Sequence, residues 1–131
     1  MLLRGVRVRF LAPDPCPDLD ACGKIAPETL ETAFRDNPHA GLVVVTSPTY
    51  EGVSSDLPAL AEVTHRHGAK LLVDSAHGAH LGFSDFFGAG AVQSGADLVV
   101  QSLHKTLPSL TQTGLIHVCS DRVDCAEVGF W

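Results

Sequence analysis

Three short apolar runs constrain this chain most: "GLVVVTSP" (41–48), "AKLLVDSAHG" (69–78) and "ADLVVQSLHK" (96–105). Each is rich in β-branched residues or leucine, and each stops abruptly at polar side chains. Runs of this length and composition fit strands buried on both faces, as in a parallel sheet. Between the first two lies "SSDLPALAEVTHRHG", which fits a helix. Ser55 or Asp56 can cap it, Pro58 suits its first turn and Gly68 can close it. The span from Leu42 to Val73 therefore reads strand, helix, strand, with room for a right-handed crossover between parallel neighbours.

The remaining segments fit around that unit. "GVRVRFLA" (5–12) alternates and predicts a short strand, with Arg4, Arg7 and Arg9 giving it a polar face. "PDPCPDLDACGK" reads as a loop. "APETLETAFRDNP" predicts a helix, with Pro27 in its first turn, Glu28 and Glu31 at its positive end, and Leu30, Ala33 and Phe34 on one face. The glycine-rich "GAHLGFSDFFGAGAVQSG" predicts a long functional loop with one helical turn at "SDFF". "GLIHVCS" predicts a fourth strand, and the tail "DRVDCAEVGFW" can begin a helix. The expected fold class is α/β, a mostly parallel sheet flanked by helices.

At 131 residues the chain holds one small domain. Its formal charge of −6, from 15 acidic and 9 basic residues, argues against nucleic acid or an anionic membrane as a partner. No apolar run approaches the roughly 20 residues that span a bilayer, and the start lacks a signal-peptide pattern, so the expected compartment is the cytoplasm. Cys16, Cys22, Cys119 and Cys125 form two C-x5-C pairs, a spacing unlike the usual zinc knuckles, and are read as free thiols.

In open parallel sheets, ligands collect beyond the carboxyl ends of the strands. Those ends carry Thr46, Ser47, Thr49 and Tyr50, then Asp74 and His77, then Ser102, His104 and Lys105. Asp74 either caps the next turn or supplies a fixed negative charge for a cation. Asp74, His77 and His80 share a D-x-x-H-x-x-H spacing with metal-ligand chemistry, but Gly78 argues against a regular helix there, so no metal site is assigned. His65 and His67 suit the negative end of the predicted helix, and His39 and His117 read as surface or edge residues. "GAGAVQS" falls short of a dinucleotide-binding loop, and there is no Walker loop or nucleophile elbow. Lys105, beside His104 and Ser102 at a strand end, is either an ordinary surface lysine in a loop or an amine whose charge desolvation disfavours, able to attack a carbonyl. An acid at one strand end and this lysine at the next suggest a cofactor with a basic ring nitrogen and an aldehyde.

"VTSPTYEG", "LLVDSAHGAHLGF" and "GADLVVQSLHKTLPSLTQTG" closely resemble the large domain of bacterial Orn/Lys/Arg decarboxylases, fold-type-I enzymes that use pyridoxal phosphate (PLP). The resemblance runs from about Val6 to Val118. It implies that Lys105 is the Schiff-base lysine and that Asp74 pairs with the pyridinium nitrogen, keeping the ring able to accept electrons. Ala76 would pack against a ring face, and His77 would lie near the ring. Ser102 and His104 would contact the cofactor phosphate. The implied substrate is a small basic amino acid, and full-length relatives are expected to be homo-oligomers.

Two departures accompany the match. Ser75 stands where many relatives are expected to carry Glu, and its side chain is expected to face away from the ring, since strand neighbours alternate. The family's upstream phosphate-binding turn and downstream small domain are also missing, and the apolar "VGFW" ending suggests truncation. The chain is thus expected to be a partial PLP-binding large domain over residues 1–131. The alternatives are another fold-type-I activity, such as an aminotransferase or a lyase, and a non-catalytic remnant or assembly module.

Overall fold

The proline- and aspartate-rich segment over 13–24 forms little regular structure. The computed structural model describes residues 5–129. The strand predicted over 5–12 is absent: that segment is irregular, Val6 and Phe10 are exposed, and Arg4 lies outside the described residues. Without a partner strand, alternation alone leaves the backbone donors to water. The predicted loop at 13–24 instead holds a two-residue antiparallel ribbon, β1 (Pro15–Cys16) and β2 (Ala21–Cys22).

Helix α1 (Pro27–Asp36) starts with Pro27 in its first turn and buries Leu30 and Phe34. Strand β3 (Leu42–Thr46) follows, then helix α2 (Leu57–Arg66), then β4 (Lys70–Asp74). Of the two candidate caps for α2, Asp56 serves: its Oδ1 accepts from Ala59 N–H at 3.1 Å. Gly68 ends the helix with a φ of +71°, a conformation that favours glycine. Two single 3₁₀ turns, at Asp85–Phe87 and Ala91–Gln93, are the regular structure of the long loop. Strand β5 (Leu98–Ser102) runs straight into the one-turn helix α3 (Leu103–Thr106). Strand β6 (Gly114–Val118) and the short helix α4 (Cys125–Val128) complete the described chain, and Phe130 and Trp131 of the "VGFW" ending lie outside it.

The main sheet has the order β3-β4-β5-β6. β3 pairs parallel with β4, β4 pairs parallel with β5, and β6 pairs antiparallel with β5. The sheet is thus mixed, with two parallel pairings, because only a short return separates β5 from β6.

Alternation decides what each face does. Val43, Val45, Leu71, Val73 and Val99 turn to one face and pack with Leu57, Leu60, Ala61 and Val63 of α2 and Leu30 and Phe34 of α1. Leu60 and Leu71 have no exposed surface, so truncating either to alanine costs about 2–5 kcal/mol. The opposite face is open, contrary to strands buried on both sides. Leu42 is 45% exposed, Val44 44% and Ile116 60%. α1 and α2 cover one side, and apolar composition alone cannot reveal which faces find a cover.

Candidate active site

Asp74 is the last residue of β4 and lies in register with Val100 of β5. Ser102 is two residues further along β5, on the same face by alternation. The acid and the Ser102–Lys105 segment therefore stand at adjacent strand ends on the same side of the sheet. Backbone bonds hold this rim: Ser47 N–H donates to Asp74 O at 2.9 Å, and Ser75 N–H to Val100 O at 2.8 Å.

The Asp74 side chain is half-buried, and its Oδ1 accepts from Ala76 N–H at 3.1 Å. It caps the turn that follows, and that bond leaves Oδ2 uncommitted. Ser75 is fully buried, its hydroxyl without a partner. Ala76 and His77 are half-buried, and His77 meets Tyr50 edge-on with ring centres 5.4 Å apart. His80 turns to Phe87 at 5.3 Å. Among the described residues Asp74, His77 and His80 do not converge as a metal-ligand group.

The turn carrying Lys105 is fastened from the β6 side. Leu103 N–H donates to Thr113 O at 2.9 Å, and His104 Nδ1 donates to the same carbonyl at 3.1 Å. That bond leaves His104 Nε2 as the nitrogen open to a ligand. Ser102 precedes α3 and makes no side-chain cap bond. Lys105 itself is exposed. Its exposure matches the surface reading of this lysine rather than the desolvated one, because a single helical turn at the edge of the sheet does not enclose a long side chain.

A cleft of about 290 Å³ opens beside these residues, between the loops that follow β3 and β4. His77 and Thr106 border it, but Asp74, Ser102, His104 and Lys105 do not.

Sequence reasoning missed a second polar centre at the other end of the strands. Asp97 is wholly buried. Its Oδ2 accepts from Leu71 N–H at 2.7 Å and meets His65 Nε2 at 2.9 Å, and its Oδ1 accepts from Ser120 Oγ at 2.5 Å. Burial alone would push this carboxyl up, but the bonds from Ser120, Leu71 and His65 hold it below the usual carboxylate value. Burial and the Asp97 charge together push the Cys119 thiol up. His67 pairs with Glu31 Oε1 at 3.0 Å and stacks on Phe34, and that hydrogen bond lowers the Glu31 carboxyl. Both histidines thus tie elements together, where helix-end electrostatics was the expectation. The available signal was Asp97 itself, a charge at the head of an apolar strand. All four cysteines are free thiols, and no helix among the described residues is long and apolar enough to cross a membrane.

The family described as Orn/Lys/Arg decarboxylase, major domain, matches residues 1–129. The chain belongs to that family. Among curated relatives, the uncharacterized protein YaaO of Bacillus subtilis is 39% identical over 118 residues, which is 90% of this chain and 25% of YaaO. The arginine decarboxylase of Bacillus subtilis is 36% identical over 119 residues, covering 87% of this chain and 24% of that enzyme. Among solved structures, mouse CSAD superposes with a TM-score of 0.61 at 27% identity, over 75% of this chain and 22% of CSAD. The chain thus spans about a quarter of the length of the proteins it matches. The fold is that of the fold-type-I PLP enzymes, as the motifs around Asp74 and Lys105 implied.

Proposed function

We propose that this chain is the lysine-bearing part of a PLP-dependent decarboxylase acting on ornithine, lysine or arginine. The observation that carries the proposal is the register of Asp74 against β5, which sets an acid beside the Ser102–Lys105 turn at neighbouring strand ends. These residues fit the cofactor by their chemistry. Lys105 offers an accessible primary amine for an aldehyde, and Asp74 has a carboxylate oxygen left free by its capping bond. Ser102 offers a hydroxyl without a cap bond, and His104 offers Nε2, so both can hold a phosphate.

PLP, when bound, supplies an electron sink for the carbon–carbon bond cleavage of decarboxylation. The chain's residues do the rest. Lys105 would hold the cofactor through its side-chain amine, and that amine, when free, could carry a proton. Asp74 would hold a proton on the cofactor's ring nitrogen through its negative charge. Ala76 would offer its methyl group to the cofactor ring, and His77, which Tyr50 meets edge-on, would serve as a polar contact and catalytic group. The Thr113 carbonyl fixes the His104 ring and with it the Lys105 turn.

The direct test is PLP titration of the 131-residue chain. A visible absorbance band that disappears in Lys105→Ala supports the assignment, whereas strong PLP binding unaffected by that substitution rejects it. Product analysis separates the chemistries, since a decarboxylase releases CO2 and an aminotransferase forms a keto acid.

A further inference from the structure

We propose that the outer edge of β3 binds a second copy of this chain, the two β3 strands pairing antiparallel about Val44. The inference is independent of the cofactor reading. β3 ends the sheet on its side, with β4 as its one neighbour. Its bonds to β4 show which backbone groups are already used: Lys70 N–H donates to Gly41 O at 3.1 Å, and Ser47 N–H donates to Asp74 O at 2.9 Å. Alternate residues of a strand bond to the same neighbour, so 41, 43, 45 and 47 face β4. Leu42, Val44 and Thr46 therefore turn both N–H and C=O outward, and among the described residues no loop or turn hydrogen bond reaches them. Such a row is a template for another strand.

The edge is complementary to itself. With Val44 set opposite Val44 of the copy, Leu42 meets Thr46 at either end, and each pair exchanges both of its N–H···O bonds. Leu42 is 45% exposed and Val44 44%, so the pairing also brings together apolar side chains of the two open faces. No charged residue occurs from Ala40 to Tyr50, and β3 itself has no proline, so the usual blocks to edge pairing are missing. The partner strand comes from another molecule, because residues 1–4 and 130–131, the part of this chain outside the described structure, are too few to match the five residues of β3. The other edge of the sheet fits less well. Leu103 N–H bonds to Thr113 O and Cys119 N–H to Asp97 O, so Gly114, Ile116 and Val118 are the outward positions of β6, and the glycine weakens a ladder there.

The test is sedimentation velocity of the 131-residue chain over a concentration series, with amide hydrogen exchange read by NMR on the same samples. A monomer–dimer equilibrium is expected, and exchange at the Leu42, Val44 and Thr46 amides should slow at least tenfold as the dimer fills. Val44→Lys and Val44→Glu each place like charges opposite one another at the symmetry axis, so each alone should be monomeric, and an equimolar mixture of the two should recover the dimer. Ile116→Lys, at the far edge of the sheet, should leave the dimer in place. A chain that stays monomeric, or a dimer whose Leu42, Val44 and Thr46 amides exchange as fast as in the monomer, overturns the proposal without any substitution. So does a dimer that Ile116→Lys dissociates, which marks contact through the open face or β6, and so do assemblies that grow beyond two copies, which mark β3 pairing with β6.

Discussion

His65 Nε2 and Asp97 Oδ2 meet at 2.9 Å, joining the end of α2 to the start of β5 across 32 residues of sequence. The same carboxylate takes Leu71 N–H and Ser120 Oγ, so one buried acid ties together α2, β4, β5 and the segment after β6. This end of the sheet lies opposite the candidate active site.

Removing that acid strands several donors at once. Asp97→Ala is expected to lower unfolding stability by about 3–5 kcal/mol, read as a lower urea midpoint at unchanged slope. A loss under about 1 kcal/mol would contradict a buried hub of this kind.

The same residue gives a pH dependence. The folded-state pKa of Asp97 is lowered, so its contribution is fully present above the unfolded value, about 4. It is lost as pH falls below that value through the folded pKa, because the unfolded chain takes up the proton first. Denaturation followed from pH 6 down to pH 2 should show this acid-side loss, and Asp97→Asn should flatten it. An unchanged acid limb in that variant would rule Asp97 out as the source.

Gly78 is a packing constraint beside the site. A Cβ there would press on Ser75 Oγ and lie 2.6 Å from Pro48 Cδ. Gly78→Ala is expected to cost about 1–3 kcal/mol, seen as a lower thermal midpoint. Gly52→Ala is the informative contrast: nothing lies within 4 Å of the added carbon, and only its φ of +91° resists the change.

The α2 cap predicts a smaller effect. Asp56→Ala is expected to destabilise by about 1 kcal/mol, and Asp56→Asn by less, because the asparagine oxygen still accepts from Ala59 N–H.

Much of this was legible because local and global signals agreed. The strands ending in Thr46, Asp74 and Ser102, and the helix between Asp56 and Gly68, carry both their periodicity and their punctuation in sequence. The positions of Asp74 and Lys105 at strand ends followed from those boundaries. The failures came where a non-local partner decides. "GVRVRFLA" alternates but finds no strand to pair with, and Leu42 and Val44 look interior yet lie on the open face. The roles of His65 and His67 depended on Asp97 and Glu31, residues 32 and 36 positions away. The exposure of Lys105 depended on what surrounds one helical turn, which no window of sequence contains.

The central claim, that Lys105 carries the cofactor, has a direct test in the chain's own lysines. Lys24, Lys70 and Lys105 are its three lysines, and all are exposed, so accessibility alone predicts equal labelling. The protein is incubated with PLP and reduced with borohydride, and the label is mapped by peptide mass spectrometry. The account predicts label concentrated on Lys105, with that preference lost in Asp74→Ala. Label spread evenly over the three lysines, or centred on Lys24 or Lys70, would contradict it.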